Sequence, residues 1–196
     1  MNIRTYKQEL LNKLYAPYLK CIECPLGAMG RTNVVFGEGN PDAQLMFIGE
    51  GPGQEEDKQG RPFCGRSGKL LDKVFSLLSL NRADVFITNV VKCRPPSNRK
   101  PLENENTTCA NLFLFKQIKI IQPKAICTLG STALQGLLNN YDIKISQLRG
   151  RPLIPNAFAQ TIVIPTYHPA YILRDPSKFS ILFDDIKQAY DLIEKK

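Results

Sequence analysis

Four short apolar runs, separated by stretches with helical spacing, constrain this chain more than any other feature. Ala43–Ile48 (AQLMFI), Val85–Val91 (VFITNVV), Lys124–Leu129 and Thr161–Pro165 (TIVIP) are short, apolar and often β-branched, so they read as strands. Ser67–Ser79 (SGKLLDKVFSLLS) repeats its apolar residues like a helix, with Ser67 available as cap. Thr107–Ile121, Ser131–Asn139 and Phe179–Glu194 also read as helices, and residues 5–19 as an amphipathic helix ahead of the first strand. Arg94–Asn104 carries three prolines and reads as irregular. Strands alternating with helices imply crossover connections. The expected fold is therefore α/β, with a mainly parallel sheet covered on both faces. The 196 residues suit one domain over 1–196, with a helix in 1–20 and a glycine-rich loop in 21–40.

In such sheets, ligands bind beyond the carboxyl ends of the strands. Three unusual segments fall there. Gly49–Asp57 (GEGPGQEED) follows the first strand, and its glycines let backbone approach a ligand closely. It matches neither phosphate-binding glycine pattern, and its acidic residues argue against nucleotide phosphates. Asn89 ends the second strand; its planar amide offers a donor and an acceptor together, although a lone asparagine more often closes a turn. His168 begins HPAYILR after the last strand. It is the chain's only histidine, which rules out a multi-histidine metal site and leaves one candidate for imidazole chemistry. Tyr171, Ile172 and Leu173 then form an apolar patch beside Arg174, as a side-chain wedge inserting into a duplex would require.

Six cysteines in a chain expected to be cytoplasmic favour metal binding over disulfides. The N-terminus lacks the apolar centre and cleavage site of a secretory signal, and no stretch is apolar enough to span a bilayer. Cys21 and Cys24 form a C-x2-C pair, while Cys93 and Cys109 are sixteen positions apart. Two such pairs can bind zinc or an iron–sulfur cluster, and spacing alone leaves both open. Cys127 lies within an apolar strand and Cys64 follows Phe63, so neither is assigned to metal.

The net charge of +8 favours a polyanionic partner. Basic residues gather beside glycines and prolines, at Lys58, Arg61, Arg66 and Lys69, at Lys92, Arg94, Arg99 and Lys100, at Arg149 and Arg151, and at Arg174 and Lys178. On loops they read as phosphate contacts.

Taken in order, GEGPGQEED (49–57), GRPFCG (60–65), TNVVKCRPP (88–96), HPAYILR (168–174) and the frame Cys21, Cys24, Cys93, Cys109 resemble the family 4 uracil-DNA glycosylases. The resemblance covers about Cys21 to Arg174. It implies a three-layer α/β/α sandwich around a four-stranded sheet and hydrolysis of the bond between uracil and deoxyribose in base excision repair. It also implies one four-iron–four-sulfur cluster on Cys21, Cys24, Cys93 and Cys109, with the 21–40 loop as its cradle, and no nucleotide cofactor or magnesium. By position, Phe63 would stack on the flipped base and Asn89 would read its edge. Glu50, Gly51 and Pro52 would line the pocket, and Glu56 would crowd uracil C5. His168 would stabilise charge on O2, and Tyr171 to Arg174 would meet DNA.

Gly51 stands where many related glycosylases carry an aspartate that orients water, which leaves Glu50 and Asp57 as candidates. Cys64 also departs from a small aliphatic residue. The implied partners are uracil-containing DNA, single- or double-stranded, and downstream abasic-site repair enzymes, with the chain a monomer. A related group that becomes trapped on DNA carries a histidine-containing insert; Arg94–Cys109 has no histidine. A DNA-binding module without catalysis would fit the basic loops but leave Asn89 and His168 unused.

Overall fold

The computed structural model describes residues 2–194. Its sheet has strands β1 (Glu38–Gly39), β2 (Leu45–Gly49), β3 (Phe86–Asn89), β4 (Ala125–Leu129) and β5 (Ile162–Thr166), in the order β1-β3-β2-β4-β5. The four long strands are parallel and β1 pairs antiparallel with β3. The sheet therefore has five strands, not four. The additional one hides in the segment read as loop because two residues show no alternation. Gly39 has φ +124°, and a Cβ there would meet the Val85 carbonyl oxygen at 2.0 Å, so only glycine lets this edge close.

The helices are α1 (Ile3–Tyr15), α2 (Gln54–Gln59), α3 (Arg66–Leu77), α4 (Glu103–Cys109), α5 (Phe115–Ile121), α6 (Ser131–Leu138), α7 (Ile145–Leu148), α8 (Pro169–Arg174) and α9 (Phe179–Glu194). Strand alternation sorts them into two layers. Leu45 and Phe47 of β2 pack with Leu71, Val74 and Phe75 of α3, Ile172 of α8 and Leu182 and Ile186 of α9. Met46 and Ile48 face the other way, onto Leu11 of α1, Ile118 and Ile121 of α5 and Leu134 and Leu137 of α6. The result is a three-layer α/β/α sandwich. No helix among the described residues is long and apolar enough to cross a membrane.

Two helix starts differ from the sequence reading. α3 begins at Arg66 after Gly65, with no side-chain cap, so Ser67 does not cap it. The helix expected at Thr107 begins at Glu103, because Glu105 bonds back to the Leu102 N–H at 2.7 Å. A π turn, Ala110–Leu114, then separates α4 from α5 directly after Cys109.

The chain leaves β2 toward β3 on one side and leaves β4 toward β5 on the other. That reversal opens a crevice at the carboxyl ends of the strands.

Candidate active site and cysteine cage

A cavity of about 380 Å³ lies in this crevice. The loop after β2 supplies Glu50, Gly51 and Pro52, and α2 supplies Glu56. Phe63, Asn89 and His168 complete the wall. The structure thus brings together every expected base-contacting residue. Phe63 and His168 have ring centroids 5.8 Å apart with 33° between planes. A Cβ at Gly49 would strike Asn89 Oδ1 at 2.4 Å and Phe63 Cζ at 2.5 Å, so a glycine here lets both side chains close over the strand end.

Phe63 has φ +49°, unusual for a bulky residue. Its surroundings hold it there. Arg82 donates to the Pro62 and Phe63 carbonyls at 2.7 and 3.1 Å and is itself paired with Glu38 and Asp72. Sequence reading missed Arg82, which is distant in the chain and carries no local signal.

Asn89 is 1% exposed, and neither Oδ1 nor Nδ2 has a hydrogen-bond partner. A buried amide with both groups unmet costs several kcal/mol, on the order of 1–3 per group, unless a ligand satisfies it. Its backbone is firmly held: the Asn89 carbonyl accepts from Lys92 Nζ at 2.6 Å. Lys92 is fully buried and also donates to Thr88 Oγ1 and Gln117 Oε1 at 2.7 and 2.8 Å.

His168 is the N-cap of α8, and its Nδ1 accepts from the Ala170 N–H at 3.0 Å. The ring proton of the neutral form therefore resides on Nε2. Burial, with a smaller push from Arg174, lowers its pKa from 6.5 to about 4, so the ring is neutral at pH 7. Glu56 Oε1 accepts from the Gly65 N–H at 2.8 Å, which fixes that carboxylate in the wall.

Asp57 does not line this cavity. It is buried, and its carboxylate accepts from the Thr32 and Asn33 N–H groups at 2.9–3.1 Å. The helical turn of α2 sends it away from Glu56, toward the 21–40 loop. It is an anchor, and the expectation that it handles water is corrected; of that pair, Glu50 alone lines the cavity.

The wedge is corrected too. α8 turns Ile172 into the core, at 2% exposed, and leaves Leu173 outside, at 37%. Tyr171 packs on Tyr167, with centroids 4.9 Å apart. Leu173 and Arg174 alone of the four stand outward.

Several loop cations have structural employment. Lys92 is buried, while Lys58, Arg61, Arg99 and Arg149 meet Glu55, Glu38, Glu105 and Asp185. Among the described residues, Arg66, Lys69, Arg94, Arg151, Arg174 and Lys178 meet no carboxylate. Arg66, Ser67, Asn98 and Arg99 line the cavity mouth. Asn98, at positive φ, was not anticipated as part of that rim.

Behind the pocket, Cys21, Cys24, Cys93 and Cys109 line one small cavity together with Leu26, Val91 and Phe113. Among the described residues, no three Cys, His, Asp or Glu side chains close on a point as one bound ion requires. Burial pushes the Cys93 and Cys109 thiols up to about 11 and about 12. Against this, the Lys92 N–H donates to Cys109 Sγ at 3.3 Å. Clustered thiols, one of them served by a backbone N–H, form a donor set suited to an anionic, sulfur-bound group. Cys64 is half-buried near the pocket, and Cys127 is buried in β4.

A parallel sandwich with a base-sized pocket, an orphaned amide and a neutral imidazole at its strand ends defines a class, and residues 36–192 match the model of the uracil DNA glycosylase superfamily. The chain is 45% identical to a type-4 uracil-DNA glycosylase of Thermotoga maritima, over 97% of this chain and 98% of that protein. It is 38% identical to a type-4 uracil-DNA glycosylase of Archaeoglobus fulgidus, over 96% of each. A type-5 uracil-DNA glycosylase of Pyrobaculum aerophilum is 29% identical over 67% of this chain and 63% of its own length. The chain belongs to the type-4 uracil-DNA glycosylase family.

Proposed function

We propose that this chain is a monofunctional DNA-repair hydrolase that takes a flipped uracil nucleotide into the pocket and cleaves its N-glycosidic bond. The observation that carries this reading is Asn89, buried with both amide groups unmet. Uracil O4 and N3–H present the matching acceptor and donor, and cytosine reverses that pattern. Phe63 stacks on the base. Glu56 stands where the 5-methyl of thymine would crowd it, and Glu50, Gly51 and Pro52 border the rest.

Cleavage breaks the bond between deoxyribose C1′ and uracil N1, with its electron pair passing into the uracil ring and onto O2. His168 donates from Nε2 to O2 as that charge grows. A neutral donor fixed by Ala170 stabilises the transition state more than the ground state. Water, oriented by Glu50, attacks C1′ and releases a proton, and the uracil anion takes up a proton from solvent. The products are free uracil and an abasic site, left for downstream repair enzymes. Flipping is cheapest from a mispair or a single strand. Leu173 and Arg174 meet the DNA beside the gap, and Arg66 and Lys69 meet phosphates.

Cys21, Cys24, Cys93 and Cys109 would hold a four-iron–four-sulfur cluster. When bound, it supplies a structural crosslink between the N-terminal loop and the loop after β3. The chain acts as a monomer within the cytoplasm and needs no nucleotide or magnesium.

The test is an oligonucleotide with one labelled uracil strand, incubated in chelator and then treated with alkali. Strand breakage only after alkali, absent with thymine, supports the reading. Binding without uracil release would reduce the chain to a DNA-binding module.

A further inference from the structure

Arg31 differs from the other arginines drawn into the structure. Arg61, Arg82, Arg99 and Arg149 each meet a carboxylate. Arg31 meets none among the described residues. Its Nη2 donates to the Cys21 carbonyl at 2.7 Å. Its Nε is shielded from solvent and has no acceptor. A cation with one shielded, unused donor, held on a cage cysteine, is an electrostatic site that the protein alone does not complete.

The position is not accidental slack. The next two residues, Thr32 and Asn33, are held by the buried Asp57 carboxylate. Asn33 Nδ2 also donates to the Asp57 carbonyl at 2.6 Å. The segment carrying Arg31 is thus fixed to α2 on one side and to Cys21 on the other. Four thiolates around an iron–sulfur core leave a net negative charge, and nearby charge and hydrogen bonds set the reduction potential of such a group. Guanidinium suits this task because it stays charged and its planar fork can serve two acceptors at once.

We propose that Arg31 is the charge-compensating residue of the cysteine cage: it steadies Cys21 through its carbonyl and holds a positive charge at that wall of the cage, and so governs how firmly the cluster is retained and at what potential it is reduced. The proposal rests on the cluster reading of the cage. Removing the charge disfavours an added electron, which moves the potential to more negative values. Removing the bond to Cys21 frees one ligand, which speeds cluster loss.

The experiment compares the wild-type chain with Arg31→Met and Arg31→Lys, all purified anaerobically. Iron and sulfide content, chelator bleaching of the visible spectrum and reduction potential by film voltammetry are the readouts. Arg31→Met is expected to bleach about tenfold faster, the lower end for loss of a residue supporting a metal ligand, and to show a more negative potential. Arg31→Lys keeps the charge, so its potential should stay near wild type while bleaching still quickens. A loaded Arg31→Met protein with wild-type potential and bleaching overturns the proposal and leaves the cluster reading intact. If the Met variant does not fold, a Lys variant with a clearly more negative potential overturns it. Wild-type protein that takes up no iron overturns the cluster reading and this proposal with it.

Discussion

The pocket and the cysteine cage share one strand end, Asn89 to Cys93, yet they differ in how far the protein meets their polar demands. In the pocket, Asn89 keeps both amide groups unmet and His168 keeps a free Nε2 donor. In the cage, Cys109 already receives an N–H donor, from Lys92. The pocket is finished by a ligand that comes and goes, so its unmet groups act as selection against the wrong base. On the proposed reading, the cage is finished by a group that stays. Lys92 connects the two, with Nζ on the Asn89 carbonyl and its N–H on Cys109. Damage to the cage should therefore reach the pocket through stability, while damage to the pocket should leave the cage untouched.

Cys93→Ala tests the first half of that asymmetry and should have the largest effect. Loss of one cage ligand is expected to abolish the cluster's visible absorbance and cost on the order of 4 kcal/mol, in the range where metal-site losses fall. Urea unfolding read alongside iron content checks it. Full stability with an empty cage would break the comparison, because the cage would then not support the fold.

His168→Ala tests the second half. Loss of one positioned donor to a developing anion should lower kcat about a hundred- to a thousandfold. Iron content and the unfolding midpoint at pH 7 should stay near wild type. Single-turnover uracil release reads the first, and the visible spectrum and unfolding curves read the second.

The same residue gives the pocket a pH signature in the acid range. In the folded chain His168 titrates at about 4, against 6.5 in the unfolded chain. Between these values the unfolded state binds more protons, so stability rises with pH through this window. Its contribution is complete above pH 6.5 and is lost as pH falls toward 4. Allowing for partial exposure, the swing is about 2 kcal/mol. Unfolding curves at pH 7 and pH 4.5 should differ by less in His168→Ala than in wild type; an equal difference would remove His168 as the source.

Asp57→Asn probes the tie between the two regions. The carboxylate gathers two backbone N–H groups of the cage loop, and weakening charge-assisted bonds of this kind costs about 1–2 kcal/mol. The kcat of folded protein should hold, because Asp57 does not line the pocket. A drop in kcat on the scale of the His168 variant would restore Asp57 to the chemistry.

Sequence made the sandwich legible where burial was continuous. The four long strands alternate with helices, and their cores divide cleanly by side-chain direction. It could not reveal β1, whose two residues carry no period, nor the buttress of Arg82 behind Phe63, which acts over nineteen positions. Asn89 and His168 were readable because they sit in or beside glycine- and proline-marked loops next to strand ends, whereas Phe63 and Glu56 were placed by the family resemblance. The two misreadings at the site share one cause: a short helix rotates neighbours to opposite faces. Glu56 and Asp57 read alike in a string but part in α2, one to the pocket and one to the cage loop.

α8 does the same to Ile172 and Leu173, and this gives the smallest and most discriminating contrast. Ile172 is packed among Leu71, Leu182 and Ile186, so Ile172→Ala should cost about 2–4 kcal/mol as a core truncation, whatever DNA is present. Leu173→Ala should change stability by less than about 0.5 kcal/mol, as exposed sites do. If Leu173 enters the gap left by the flipped base, its loss should raise KM on a paired uracil and leave a single-stranded substrate nearly unaffected, because only the duplex must be opened. Equal kinetics on both substrates would remove the wedge from α8 and leave Arg174 as its only contact with the duplex.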